Sequence, residues 1–314
     1  MSADIAPLAP GTLATRAALA SVAVALFLLL LKSHAALATG SVAMLGSLAD
    51  TLLDLVASLV TLFGVRVAAA PADRDHRFGH GKAEALAALF QVVLIAVSAA
   101  AILWRAIERL IENQVTTEAG EGILVSAIAI AATLALLVYQ RRVIASTGSV
   151  AIETDHVHYQ SDLLLNLSVI AALALEQYLH LGGADALFGI AIALWLAWGA
   201  WKASSRAIDQ LMDKEWPEEK RARFVEVAAR HPELKGLHDL RTRTSGSRDF
   251  VQFHVWMDPA MSVADAHHVI EEVETKLEKE FPGAEILIHI DPVGQIDHPG
   301  NPLVETDLTK ADKE

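Results

Sequence analysis

The sequence predicts a membrane all-α bundle of six helices followed by a cytoplasmic α+β domain in the order αββαβ. Three observations predict it. The chain is 53% hydrophobic with a mean hydropathy of +0.38, too apolar for an ordinary soluble domain. Its apolar residues are gathered into runs that, with a few flanking residues, reach the length of about 20 that a membrane helix needs. From Lys202 onward the runs stop, charge becomes dense, and shorter periodic patterns take over.

The first run is 17–31, AALASVAVALFLLLL. The second, 41–65, is uncharged apart from Asp50 and Asp54, and the third, 83–104, apart from Glu84. The fourth and sixth are 122–139 and 186–201. The fifth, 163–175, is the weakest, because polar residues precede it and Glu176 ends it. The chain thus divides into an N-terminal tail 1–12, a six-helix transmembrane domain 13–207, a soluble domain 208–293 and a polar tail 294–314. The tail is rich in Pro, Gly and Asp and is expected to be disordered. Residues 1–12 lack a basic n-region, and further apolar runs follow the first, so no cleavable signal is expected.

Lys and Arg near the helix ends set the orientation. Arg66, Arg74, Arg77, Lys82, Arg141, Arg142, Lys202 and Arg206 fall on one side; Lys32, Arg105 and Arg109 fall on the other. This balance puts both termini and the soluble domain in the cytoplasm. The net charge of −13 argues against nucleic acid as a partner. The absence of cysteine excludes disulfides and thiolate metal sites.

In the soluble domain, 217–231 opens with Pro and two Glu, a helix start. Strands are expected at 237–244 and 249–258. In the second, Val251, Phe253, Val255 and Met257 alternate with Gln252, His254 and Trp256. Ser262 is a candidate N-cap for a helix 262–281 with an apolar stripe of Val263, Ala266, Val269, Ile270, Val273 and Leu277. A third strand, 284–291, places Ile286, Ile288 and Ile290 on one face, and helices then cover one face of a three-stranded sheet.

Asp50 and Asp54 stand four apart, so one helix face carries both. Each costs roughly 2.5–3.5 kcal/mol on insertion scales, and the apolar runs offer no Lys or Arg to pair with. In HYQSD, His158 and Asp162 repeat the same spacing. Three carboxylates and one imidazole from two packed helices suit a tetrahedral O/N site of the kind zinc accepts. Crowded carboxylates do not all ionise cheaply, and an imidazole titrates near ~6.5 in water. A metal that needs deprotonated ligands would expel protons, which makes such a site a proton antiporter.

A second cluster, Asp73, His76 and His80, lies in the loop PADRDHRFGHGKAE, where Gly79 and Gly81 permit tight turning. A third is scattered over the soluble domain: His238, His254, His267, His289 and Asp291, the last two sharing a strand face. Spacing alone leaves these histidines open to an ordinary reading as loop and surface residues, and His231, His268 and His298 unassigned.

The motifs SLADTLLD, DHRFGHGKAE, HYQSD, LMDKEWPEE, HDLRTRTSG and IHIDP follow one another as in the cation diffusion facilitator family, and the chain from about Gly11 to Pro292 resembles it, most closely its bacterial ferrous-iron/zinc efflux pumps. The resemblance implies six membrane helices, a ferredoxin-like, metallochaperone-like cytoplasmic domain and a V- or Y-shaped homodimer in the bacterial inner membrane. It implies efflux of Zn²⁺ and similar ions in exchange for protons. It assigns the transport site to Asp50, Asp54, His158 and Asp162, and a loop site to Asp73, His76 and His80. A cytoplasmic binuclear site, regulatory rather than translocating, falls on His238, His254, His267, His289 and Asp291. Lys82 and Asp213 match a salt bridge that holds the dimer while the helices pivot.

Three positions depart from the family pattern. Arg74 replaces an acidic residue, Ile290 a polar one and Val293 a cysteine. One imidazole favours Zn²⁺ or Fe²⁺ over Mg²⁺ and Ca²⁺, and three carboxylates leave Mn²⁺ and Cd²⁺ open, with Zn²⁺ first. Against an intramembrane metalloenzyme stands the absence of HExxH. A passive channel would carry metal without protons, and a membrane-tethered sensor would leave Asp50 and Asp54 unexplained.

Overall fold

Six long helices open the chain in the computed structural model, which describes residues 10–39, 42–112, 123–179, 184–295, 303, 305 and 307–309. They are α1 (Pro10–Thr39), α2 (Val42–Ala68), α3 (Ala83–Glu112), α4 (Ile123–Thr147), α5 (Val150–Leu179) and α6 (Ala184–Leu211). The soluble elements follow as α7 (Glu218–Ala228), β1 (Lys235–Ser245), β2 (Arg248–Met257), α8 (Val263–Glu280) and β3 (Ala284–Pro292). The chain divides into two compact units, Met1–Ile208 and Asp209–Glu314.

Among the described residues, α1, α2, α3, α4 and α6 hold stretches long and apolar enough to cross a membrane. Helix α5 is as long as α1, at 30 residues, but its first half carries Glu153, Asp155, His156, His158 and Asp162. Asp155 and His158 are turned inward, 0% and 8% exposed, and His156 and Asp162 are partly buried, while Glu153 pairs with Arg206 nearer the surface. Large apolar side chains such as Leu30, Phe63, Trp104 and Trp201 point outward, as a lipid face requires. Small residues let the helices approach closely. A Cβ on Gly64 of α2 would lie 2.3 Å from that of Ala87 on α3, so this crossing admits only glycine without a shift.

In the second unit the sheet order is β1-β2-β3, with β1 and β2 antiparallel and β2 and β3 parallel through the α8 crossover. Val251, Phe253, Val255 and Met257 are buried against Phe224 of α7 and Ile270, Val273 and Leu277 of α8. Ser262 caps α8, its hydroxyl accepting from Asp265 N at 3.2 Å. The expected stripe of α8 starts one turn late. Val263 sits in the first turn, beyond the sheet, and is 87% exposed. Ile290 is likewise 36% exposed, because the helices cover β3 only as far as Ile288.

The described tail residues are bonded to the sheet edge. Glu305 pairs with Arg221 and accepts from Leu240 N at 3.0 Å; Leu308 N donates to Leu237 O at 2.8 Å. Composition alone gives no sign of this docking.

Candidate metal centres and the family

Helix α2 presents Asp54 toward α5, where His158 Nε2 lies 3.1 Å from Asp54 Oδ1. Asp54, His158 and Asp162 each offer a ligand atom within 4.8 Å of the others. Asp50, one turn from Asp54, is exposed and does not join that trio, but it lines the same cavity of about 520 Å³. Arg105 and Arg109 line this cavity too, and a second of about 170 Å³ is shared by Asp50, Asp54 and Asp162. Three ligand atoms packed this closely, two of them carboxylate oxygens, call for a cation or protons among them.

Sequence reasoning missed the network behind this trio. Asp155, three residues before His158, accepts from Ser21 Oγ at 2.6 Å and from Gln91 and Gln140 Nε2 at 2.8 Å each. It joins α1, α3, α4 and α5 through one buried carboxyl group. Tyr159 Oη donates to Ser21 O at 3.1 Å and lies 2.9 Å from Ser58 Oγ. The signal was present, since Asp155 and Asp162 stand seven apart and share a helix face. Glu84 was noted only as an interruption of a run. It accepts from Ser149 Oγ at 2.7 Å and from the N–H groups of Val150 and Ala151, so it caps α5 from α3.

A cation stands just past the first apolar run. Helix α1 continues past its run, and Lys32 Nζ donates to Thr51 Oγ1 of α2 at 2.7 Å.

In the loop, Asp73 Oδ1 accepts from His76 N at 2.7 Å and Asp75 N at 2.9 Å, while His80 Nε2 lies 3.3 Å from Asp73 Oδ2. The trio's ligand atoms again fall within 4.8 Å. Gly79, at φ 80°, makes the turn that brings His80 back. The His76 N–H, seconded by that of Asp75, holds the Asp73 carboxyl below the usual carboxylate range. Arg74 is exposed beside it.

Strand register builds the third site. His238 of β1 pairs with His254 of β2, which pairs with His289 of β3, so three histidines form a row across the sheet. Asp291 stands under the row, with Oδ2 2.8 Å from His254 Nδ1 and 3.4 Å from His238 Nε2, and Oδ1 3.5 Å from His289 Nε2. His238 Nδ1 donates to Gly236 O at 2.7 Å. A neutral His238 then turns the Nε2 lone pair toward a carboxylate oxygen, and this buried atom has no hydrogen-bond partner. Two acceptors facing each other fit a metal ion between them. A bulge in β1 puts Asp239, at φ 47°, beside His238 and His254 as a further oxygen donor within 4.8 Å.

His267 is exposed on α8 and joins none of these groups among the described residues. Lys82 immediately precedes α3 in the first unit. Asp213, at φ 54°, belongs to the second, where Arg243 Nη1 lies 3.3 Å from it.

Comparison with known proteins agrees with this layout. Residues 18–212 match the family model described as the cation efflux transmembrane domain, and 216–293 that of the cation efflux protein, cytoplasmic domain. Cation-efflux pump FieF of Serratia proteamaculans (strain 568) is 43% identical over 276 residues, 88% of this chain and 92% of that one. Its counterpart from Pectobacterium atrosepticum is 42% identical over 284 residues, 90% and 94% of the two chains. The metal-bound C-terminal domain of the CzcD transporter from Thermotoga maritima is 25% identical, covers 26% of this chain and 96% of its own, and has a TM-score of 0.24. The chain belongs to the cation efflux, or cation diffusion facilitator, family: it is a multi-pass membrane transporter of metal cations and not an enzyme.

Proposed function

We propose that this protein exports Zn²⁺ from the bacterial cytoplasm across the inner membrane in exchange for protons, with Cd²⁺, Fe²⁺ or Mn²⁺ as further substrates. The observation that carries this reading is the trio Asp54, His158 and Asp162, with ligand atoms within 4.8 Å on two helices beside a cavity it shares with Asp50. One imidazole among carboxylates favours Zn²⁺ over Mg²⁺ and Ca²⁺. The ligands bind metal deprotonated, so loading releases protons and the emptied site takes them back.

The working unit is a homodimer with cytoplasmic termini, in which the helices rock between inward- and outward-open states. The cytoplasmic domain's family name and the His238–His254–His289 row support metal-dependent docking of two such domains, with His267 as a further ligand. Asp291 bridges that site, which tunes transport and does not carry the ion. The loop trio Asp73, His76 and His80 binds a further ion, and Lys82 and Asp213 form the ion pair that holds the dimer.

The test is Zn²⁺ uptake into proteoliposomes carrying an internal pH dye, for the wild type and Asp54→Ala. Metal influx matched by proton efflux, both lost in the variant, supports the reading. Flux without proton movement indicates a channel, and no flux in the wild type indicates a tethered sensor.

A further inference from the structure

Lys32 lies within α1, yet its ammonium donates to a hydroxyl rather than to a carboxylate. Thr51, its acceptor at 2.7 Å, is 1% exposed and stands between Asp50 and Asp54 on α2. The Thr51 hydroxyl spends its own proton on Ser47 O at 3.0 Å, so it meets Lys32 as an acceptor. The ammonium lines the cavity of about 170 Å³ that also touches Asp50, Asp54 and Asp162. Among the described residues no ion pair within 4.0 Å joins Lys32 to any of the three. Arg105 and Arg109 line the other, larger cavity and are exposed, whereas among the described residues Lys32 is the one Lys or Arg lining the smaller cavity.

A transporter must release what it binds. Three carboxylates and an imidazole in a poorly polarisable setting hold a divalent cation tightly, and a fixed like charge in the same cavity loosens that hold. The charge count also closes. Three carboxylates and one ammonium sum to minus two, the charge a single divalent cation neutralises, whereas without Lys32 the loaded site keeps a net negative charge among apolar helices.

We propose that Lys32 is a positioning residue of the transport cycle. Its ammonium is a resident countercharge that lowers the affinity of the Asp54–His158–Asp162 site for metal and so speeds release. Its bond to Thr51 keeps it in the cavity the carboxylates line without an ion pair to any of them. This inference rests on the transport-site reading above.

The test compares Zn²⁺ flux by full-length protein in proteoliposomes for the wild type, Lys32→Met, Lys32→Gln, Lys32→Arg and Asp54→Ala. Lys32→Met is expected to lower KM about tenfold and to lower kcat as release slows. Lys32→Gln keeps a donor for Thr51 but no charge, and is expected to behave like Lys32→Met; Lys32→Arg is expected to stay near the wild type. An unchanged or raised KM in both neutral variants overturns the proposal, as does a Lys32→Gln protein that matches the wild type. If Asp54→Ala transports normally, the transport-site reading fails and takes this inference with it. If Asp54→Ala is inactive while the neutral Lys32 variants keep wild-type KM and kcat, the Lys32 proposal alone fails.

Discussion

Asp54 Oδ1 and His158 Nε2 lie 3.1 Å apart, across the packing of α2 on α5, and this single distance brings two motifs 104 residues apart into one site. On α5, Asp155 stands three residues before His158 and is bonded on three sides, so the site is held from behind as well as in front.

Asp155→Ala removes the common acceptor of Ser21, Gln91 and Gln140. Leaving such donors buried and unpaired is expected to cost about 3–5 kcal/mol. Thermal unfolding of the detergent-solubilised protein should show a clear fall in midpoint, while a wild-type midpoint would mean the network carries no net stability. Asp155→Asn, which keeps one carbonyl acceptor, is expected to fall less.

Gly236→Ala places a Cβ 2.1 Å from the Trp256 ring at a position with φ +60°. It is expected to destabilise the cytoplasmic unit by about 1–3 kcal/mol. Because Gly236 O orients His238, Zn²⁺ binding by the cytoplasmic site should weaken at the same time. Chelator competition on the full chain measures this; unchanged affinity would show that the Gly236 carbonyl does not set the ring.

Glu305→Ala removes the partner of Arg221 and of the Leu240 N–H. Hydrogen exchange at Leu240 is expected to quicken by about ten- to a hundredfold, since a bond to a charged acceptor contributes about 1.5–3 kcal/mol. No change would mean the tail leaves the β1 edge freely.

Asp73 has a definite pH signature. Its folded carboxyl titrates below the ordinary value, chiefly because the His76 N–H favours the charged form. A depressed carboxylate contributes stability above its unfolded pKa, near ~3.9, and loses it as pH falls through the lower folded value. The His76 amide should therefore stay protected at pH 4 and become exposed only below it.

The fold was largely legible because each signal is local. Runs of apolar residues and the alternation through Val251, Phe253 and Val255 need no tertiary knowledge. Helix α5 was the hard one, since its first half looks too polar for lipid and becomes intelligible once Asp155 is seen to be bonded on three sides. The four-residue spacings paired Asp50 with Asp54 and His158 with Asp162; Asp54, His158 and Asp162 lie within ligand distance of one another, while Asp50 stays apart on the cavity wall. The pairing of His238, His254 and His289 was not legible from spacing, because a strand register decides it and only contact reveals register. Lys32 was not read as a neighbour of the site for a simpler reason: it follows the end of an apolar run in the sequence but lies within the helix in space.

The central claim is that metal crosses at Asp54, His158 and Asp162 and that the cytoplasmic cluster only tunes the passage. The most direct measurement is Zn²⁺ flux in proteoliposomes for Asp162→Asn beside the double variant His254→Ala/Asp291→Ala. The account predicts that Asp162→Asn loses flux by at least about a hundredfold, while the double variant still transports with an altered KM. Persistent flux in Asp162→Asn, or its loss in the double variant alone, would contradict it.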